Sequence, residues 1–155
     1  MVATPDGAAG AGPVLFAYDG SALAATAIQH AGRQLVPGRD ALVVCVWQPA
    51  DVGFIPIREQ HFDADRATAV HEAAEETAGY GASLAEAAGF RPHAIAIEAV
   101  PTWKGIVETA ERHSAGLIVV GSHRHPGFVG HLVGNVAAAI VTHATCPVLV
   151  VHEGR

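Results

Sequence analysis

Two short stretches of the chain hold residue types from which an anion-binding site can be built. One is Tyr18-Asp19-Gly20-Ser21, directly after an apolar run. The other runs from Gly121 to Asn135 and contains Gly121, Gly127, Gly130 and Gly134 together with Ser122, His123, Arg124, His125 and His131. Glycines lack Cβ atoms and permit positive φ, so backbone N–H groups can turn toward an anion. This loop feeds a helical pattern that starts near Asn135, and a helix N-terminus offers free N–H donors and a partial positive charge. Arg124 adds a permanent, planar cation, and the three histidines add donors that depend on pH. Asp19, at a strand end, has the chemistry to bind a ribose hydroxyl or a phosphate-bound metal. Both stretches also have plainer readings: turning glycines with Asn135 as an ordinary N-cap, and Asp19 as a turn residue that caps amides with Ser21. The residues alone leave both open.

Other chemistries are excluded or poorly supported. The single lysine, Lys104, lies in no G-x-x-x-x-G-K-[ST] loop. Gly7, Gly10 and Gly12 precede the first apolar run, whereas a dinucleotide-binding turn would follow it. No G-x-S-x-G elbow occurs. His123, His125 and His131 lack a neighbouring carboxylate or cysteine and make a poor metal set. No nucleophile–base set can be assigned from spacing, so no catalytic residue is expected. His30, His71, His113 and His143 read as surface or boundary residues of helices, and Trp47 and Trp103 as core or rim aromatics. Nine Lys and Arg against fifteen Asp and Glu give a net charge of −6. Such a balance, with no basic run, argues against nucleic-acid binding.

The elements that must position these residues follow from hydropathy. Val14–Tyr18, Leu42–Trp47, Ala94–Val100, Leu117–Val120 and Val148–Val151 are nearly continuous apolar runs, the mark of strands covered on both faces. Helical patterns separate them. Ser21 caps the first, whose inner stripe is Ala24, Ala27, Ile28, Ala31 and Leu35. The second spans about Asp63 to Ala88, with Val70, Ala73, Ala74, Thr77, Gly81, Leu84 and Ala88 inward, Gly89 as its C-cap, and Glu72, Glu75 and Glu76 in solvent. The third starts behind Thr102, with Trp103, Ile106, Val107 and Ala110 inward. The fourth starts near Asn135, with Val136, Ala139 and Ile140 inward. Strand–helix alternation predicts an α/β domain on a parallel sheet. In such sheets ligands bind beyond the carboxyl ends of strands where the strand order reverses. Adjacency of strands one and four would bring the two polar stretches to one crevice. The connection Gln48–Phe62 is unusually long and reads as functional or mobile.

The 155 residues fit one domain, with 50% hydrophobic and 15% charged residues. Cys45 and Cys146 read as buried small hydrophobes, since two cysteines make no disulfide framework. Met1–Pro13 is Ala-, Gly- and Pro-rich, without the basic start and apolar run of a secretory signal. No apolar run nears the ~20 residues of a membrane span. The expectation is a cytoplasmic, non-membrane protein with a loose tail over 1–13 and an α/β domain over 14–155.

The chain also resembles the universal stress protein family. The resemblance rests on Val14-Leu15-Phe16-Ala17-Tyr18-Asp19-Gly20-Ser21, on Leu42 to Pro49, on Gly116-Leu117-Ile118-Val119-Val120-Gly121-Ser122-His123, on Gly134-Asn135-Val136, and on His143 to Val151. It implies a three-layer, doubly wound, five-stranded parallel sheet of order 3-2-1-4-5 with helices on both faces. It also implies an ATP site, with Mg2+ as a companion ion, at the crevice between strands one and four. There Ala17 and Val120 would wall the base pocket, Val46 would offer backbone groups to adenine, and Asp19 would lie near the ribose or the metal. Gly121, Ser122, His123, Arg124, Gly134, Asn135 and Val136 would surround the phosphates. Nucleotide-binding members resemble G-x2-G-x9-G-[ST]. Here Gly121 and Gly134 are in place, Arg124 stands at the second glycine, and Asn135 replaces the hydroxyl residue. The resemblance further implies a homodimer through the last strand and a stress-responsive regulator, and the lack of an assignable general base or arginine finger in the sequence makes a non-enzymatic role the expectation. The alternative is a dimeric interaction module that has lost its nucleotide.

Overall fold

The structure, a computed structural model, describes residues 12–48, 60–123 and 135–153. Nine elements alternate: β1 (Val14–Ala17), α1 (Ala22–Gln34), β2 (Asp40–Trp47), α2 (Gln60–Ala87), β3 (Arg91–Glu98), α3 (Thr102–Arg112), β4 (Leu117–Ser122), α4 (Asn135–His143) and β5 (Val148–His152). All strand pairs are parallel, and the sheet order is β3-β2-β1-β4-β5. Five strands in the order 3-2-1-4-5 is the architecture that the resemblance implied.

Alternate residues of each strand feed opposite faces. Val14, Phe16, Val43 and Val119 pack with Ala24, Ala27, Ile28 and Ala31 of α1 and Ala85 of α2. Leu15, Val44, Ile118 and Val120 pack with Ile106, Val107 and Ala110 of α3 and Ala137 and Ile140 of α4. Trp47 packs beside Cys45, Ala74 and Ala78. Trp103 stacks on His143 at 4.1 Å between ring centroids.

The caps explain where several core residues land. Ser21 Oγ accepts from the Ala24 N–H (3.1 Å), as its place before α1 predicts. At the far end of α2, Gly89 adopts φ +99°. Its N–H bonds the Glu86 carbonyl, and the Phe90 N–H bonds that of Ala85, a Schellman closure. That closure swings Phe90 into the core, edge-on to Phe16 at 5.1 Å and 71°.

Some boundaries and faces differ from the hydropathy reading. β3 begins at Arg91, three residues before Ala94, because an edge strand carries exposed polar residues such as Arg91 and His93. β4 continues through Gly121 and Ser122, which composition assigns to a turn. Among the described side chains of α2 the buried residues are Ala74, Ala78, Gly81 and Ala85, while Ala73 is exposed. In α4 the inward residues are Ala137 and Ile140, and Val136 is 38% exposed. Most of the long connection, 49–59, lies outside the described residues, as does 1–11 of the expected tail. α2 begins at Gln60, inside that expected connection. Among the described residues no helix is long and apolar enough to cross a membrane.

Burial sets one pH dependence. It pushes the Cys45 thiol above its ordinary value of 9.0, helped by the charge of Asp19. It likewise lifts the Tyr18 phenol above 10.0, with smaller pushes from Tyr80, Asp19 and Cys45, and lifts the Cys146 thiol. Each folded pKa is raised, so the folded form holds protons that the unfolded chain releases. Their contribution is fully present below the unfolded values and is lost as pH rises through the folded ones. Urea midpoints should therefore fall from about pH 9 upward. The Cys45→Ala variant should show a shallower fall. A midpoint that climbs across this alkaline range would contradict the assignment.

Candidate functional site

The site is built where the sheet order reverses. β1 pairs with β2 on one side and with β4 on the other, through Val14↔Leu117, Leu15↔Ile118 and Phe16↔Val119. The helices that follow these strands, α1 after β1 and α4 after β4, cover opposite faces of the sheet and leave a crevice between them. A cleft of about 650 Å³ occupies this place, within the range of ligand pockets, ~300–1,000 Å³.

The cleft has two chemical halves. Ala17, Val44, Val46, Ile106, Val120 and Ala137 form an apolar floor and wall between the sheet and the α3–α4 layer. Asp19, Ser21, Thr102, Ser122 and His123 supply polar groups around it. Asp19 Oδ1 accepts the Ser21 N–H at 2.9 Å, across a turn in which Gly20 has φ +83°. That bond holds the carboxylate at the mouth beside the start of α1. At the β4 end, Ser122 is 2% exposed, and His123 Nδ1 lies 3.4 Å from Glu153 Oε1, which joins the ends of β4 and β5. At the β2 end, Gln48 Nε2 donates to Thr102 Oγ1 at 2.9 Å.

Eight of the residues singled out in the sequence meet here: Ala17, Asp19, Val46, Val120, Gly121, Ser122, His123 and Val136 all line the one cleft. Arg124, Gly134 and the side chain of Asn135 lie outside the described residues, as do Gly127, Gly130, His125 and His131. Three expectations change. Ser122 is the last residue of strand β4, opposite His152, and is not part of a turn. Gly121 is also in the strand, and its missing Cβ serves packing: a Cβ there would lie 2.8 Å from Leu23 Cγ. Val136 belongs to the cleft rim and not to the inward stripe of α4. The sequence reading missed Leu23, Ala24, Val44, Thr102, Ile106 and Ala137 as lining residues. Thr102 had an available signal: it opens the helix after β3, whose carboxyl end faces the same way as those of β1 and β4. Among the described residues no group of three or more His, Cys, Asp or Glu is placed to hold a metal ion.

The molecule is thus an open, doubly wound α/β domain with an apolar cleft and a polar rim at the switch point of its sheet. The chain belongs to the universal stress protein family, whose model matches residues 11–152. A universal stress protein of Mycolicibacterium smegmatis is 34% identical over 140 residues, which cover 90% of this chain and 45% of that protein. The chain thus spans about half the length of that relative. Among solved structures, the protein MJ0577 matches with TM-score 0.76 and 21% identity, over 93% of this chain and 97% of its own. An Arabidopsis thaliana family member with AMP bound matches with TM-score 0.63 and 18% identity, over 92% of each chain. Universal stress proteins of the same fold have also been solved with dAMP, from Archaeoglobus fulgidus, and with cAMP.

Proposed function

We propose that this chain binds an adenine nucleotide, ATP with or without Mg2+, in the cleft between β1 and β4, and acts as a regulatory protein without catalytic turnover. One observation carries the reading: a cleft of about 650 Å³ with one apolar half and one polar rim stands at the switch point. It does so in a family whose solved members include complexes with AMP, dAMP and cAMP. The apolar half suits the faces of a purine, with Ala17 and Val120 as walls and the Val46 backbone at the base edge. Asp19, whose Oδ1 accepts the Ser21 N–H, would meet a ribose hydroxyl or a phosphate-bound Mg2+ through its other oxygen. Gly121, Ser122, His123 and Val136, which line the cleft, would face the phosphates, and the family resemblance assigns Arg124, Gly134 and Asn135 to them as well. Hydrolysis is proposed to be absent or very slow, since nothing in the described cleft pairs a general base with an arginine at a γ-phosphate.

Thermal unfolding tests the reading. A ligand at ~100 times its dissociation constant adds about 2.7 kcal/mol, which for a domain of this size raises Tm by about 5–10 °C. The expected result is that shift with Mg-ATP, and little or none with CTP or UTP. No shift with any adenine nucleotide, and none released from the purified protein, would overturn it. That outcome would favour the second reading, a module that pairs through the exposed edge of β5 (Val148–His152).

A further inference from the structure

We propose that the Thr102 hydroxyl, positioned by Gln48, reads the edge of the bound base by donating its proton to an unprotonated ring nitrogen of the purine. This rests on the nucleotide reading above and adds a specificity-determining residue to it.

The argument starts from where threonine hydroxyls send their protons. Thr26, Thr77, Thr109 and Thr142 lie on helices and return the proton to a carbonyl four residues earlier. Thr26 bonds Ala22 O (2.9 Å), Thr77 bonds Ala73 O (2.8 Å), Thr109 bonds Gly105 O (2.7 Å) and Thr142 bonds Ala138 O (2.9 Å). Thr102 lacks that route. It is the first residue of α3, and the position four residues back, Glu98, is the last residue of β3. Its N-cap neighbour Pro101 makes no side-chain cap bond. The hydroxyl oxygen of Thr102 instead accepts from Gln48 Nε2 at 2.9 Å. A hydroxyl has one proton and two lone pairs. With the oxygen occupied as an acceptor, the proton remains to be given, and Thr102 lines the cleft.

Place then decides what receives it. Thr102 stands on the β2 side of the crevice. α3 comes close to β2 there: a Cβ built on Gly105 would sit 3.7 Å from Val46 Cγ1. This half is walled by Val44, Val46 and Ile106, away from Ser122 and His123 across β1. An apolar wall satisfies the faces of a planar base but not its edge, whose acceptors lose water on entry and need donors. The adenine ring offers N1, N3 and N7 as acceptors. Gln48 is a positioning residue: it fixes the hydroxyl rotor from the end of β2.

Calorimetric dissociation constants test this, with AMP and its 1-deaza, 3-deaza and 7-deaza analogues as probes. The proteins are wild type, Thr102→Val, Thr102→Ser and Gln48→Leu, each first checked for unchanged Tm. Thr102→Val should weaken AMP about three- to tenfold. One deaza analogue should bind wild type correspondingly worse, yet lose nothing further on Thr102→Val, the non-additivity of two partners in one bond. Thr102→Ser should restore AMP binding to within about twofold. Gln48→Leu should show a smaller loss on the same analogue, and carries the test if the valine variant fails to fold. The proposal is overturned if Thr102→Val binds AMP like wild type. It is also overturned if that variant weakens AMP and all three analogues by one common factor. Failure of folded wild-type protein to bind AMP or ATP at all would instead overturn the nucleotide reading.

Discussion

Phe16→Ala should destabilise the domain by about 3–5 kcal/mol, the range for emptying a buried phenylalanine site. Phe16 is 1% exposed on the central strand. Its ring meets Phe90 edge-on, and Phe90 is fixed by the α2 closure at Gly89. The surroundings cannot easily collapse into the hole, because the strands on both sides of β1 are hydrogen-bonded to it. Native domains are stable by only about 5–15 kcal/mol, so the variant should be partly unfolded at 37 °C or close to it. Urea unfolding checks this. A loss under about 1 kcal/mol would mean that Phe16 does not anchor the α1–α2 face.

Its neighbour should behave in the opposite way. Ala17→Phe should abolish nucleotide binding, by about a hundredfold or more in dissociation constant, while leaving unfolding nearly unchanged. The two residues point to opposite faces of one strand. Phe16 belongs to the core under α1 and α2, whereas Ala17 packs on the α3–α4 side and lines the cleft. A phenyl ring at 17 would extend into open space and occupy the place proposed for a base. Phenylalanine is also a good strand former. The readout is loss of the nucleotide-induced Tm shift with the ligand-free Tm retained. Undiminished binding would place the ligand elsewhere.

How far the sequence carries such an argument varies with the chemistry of each segment. Strands buried on both faces are legible because β1, β2 and β4 are almost wholly apolar. β3 is less so: at the sheet edge, Arg91 and His93 remain exposed and mimic a loop. The stripe of α2 is blurred because alanines occupy buried and exposed positions alike, so Ala73 and Ala74 differ in burial but not in type. Gly121 and Ser122 carry turn composition inside a strand, since a packing demand from Leu23 looks in sequence like a demand for a turn. The strand order came from the family resemblance, because spacing does not say which strands are neighbours. With that order, Asp19 and the end of β4 fall on one cleft. Thr102 stayed hidden because its significance lies in a hydrogen bond to Gln48, 54 positions away.

The seat that Gly121 leaves for Leu23 has a consequence for ligand discrimination. The first turn of α1 packs directly against the backbone of β4 at a point where both line the cleft. Under the proposed nucleotide reading, a contact of this kind limits the girth of the guest that this side of the entrance admits.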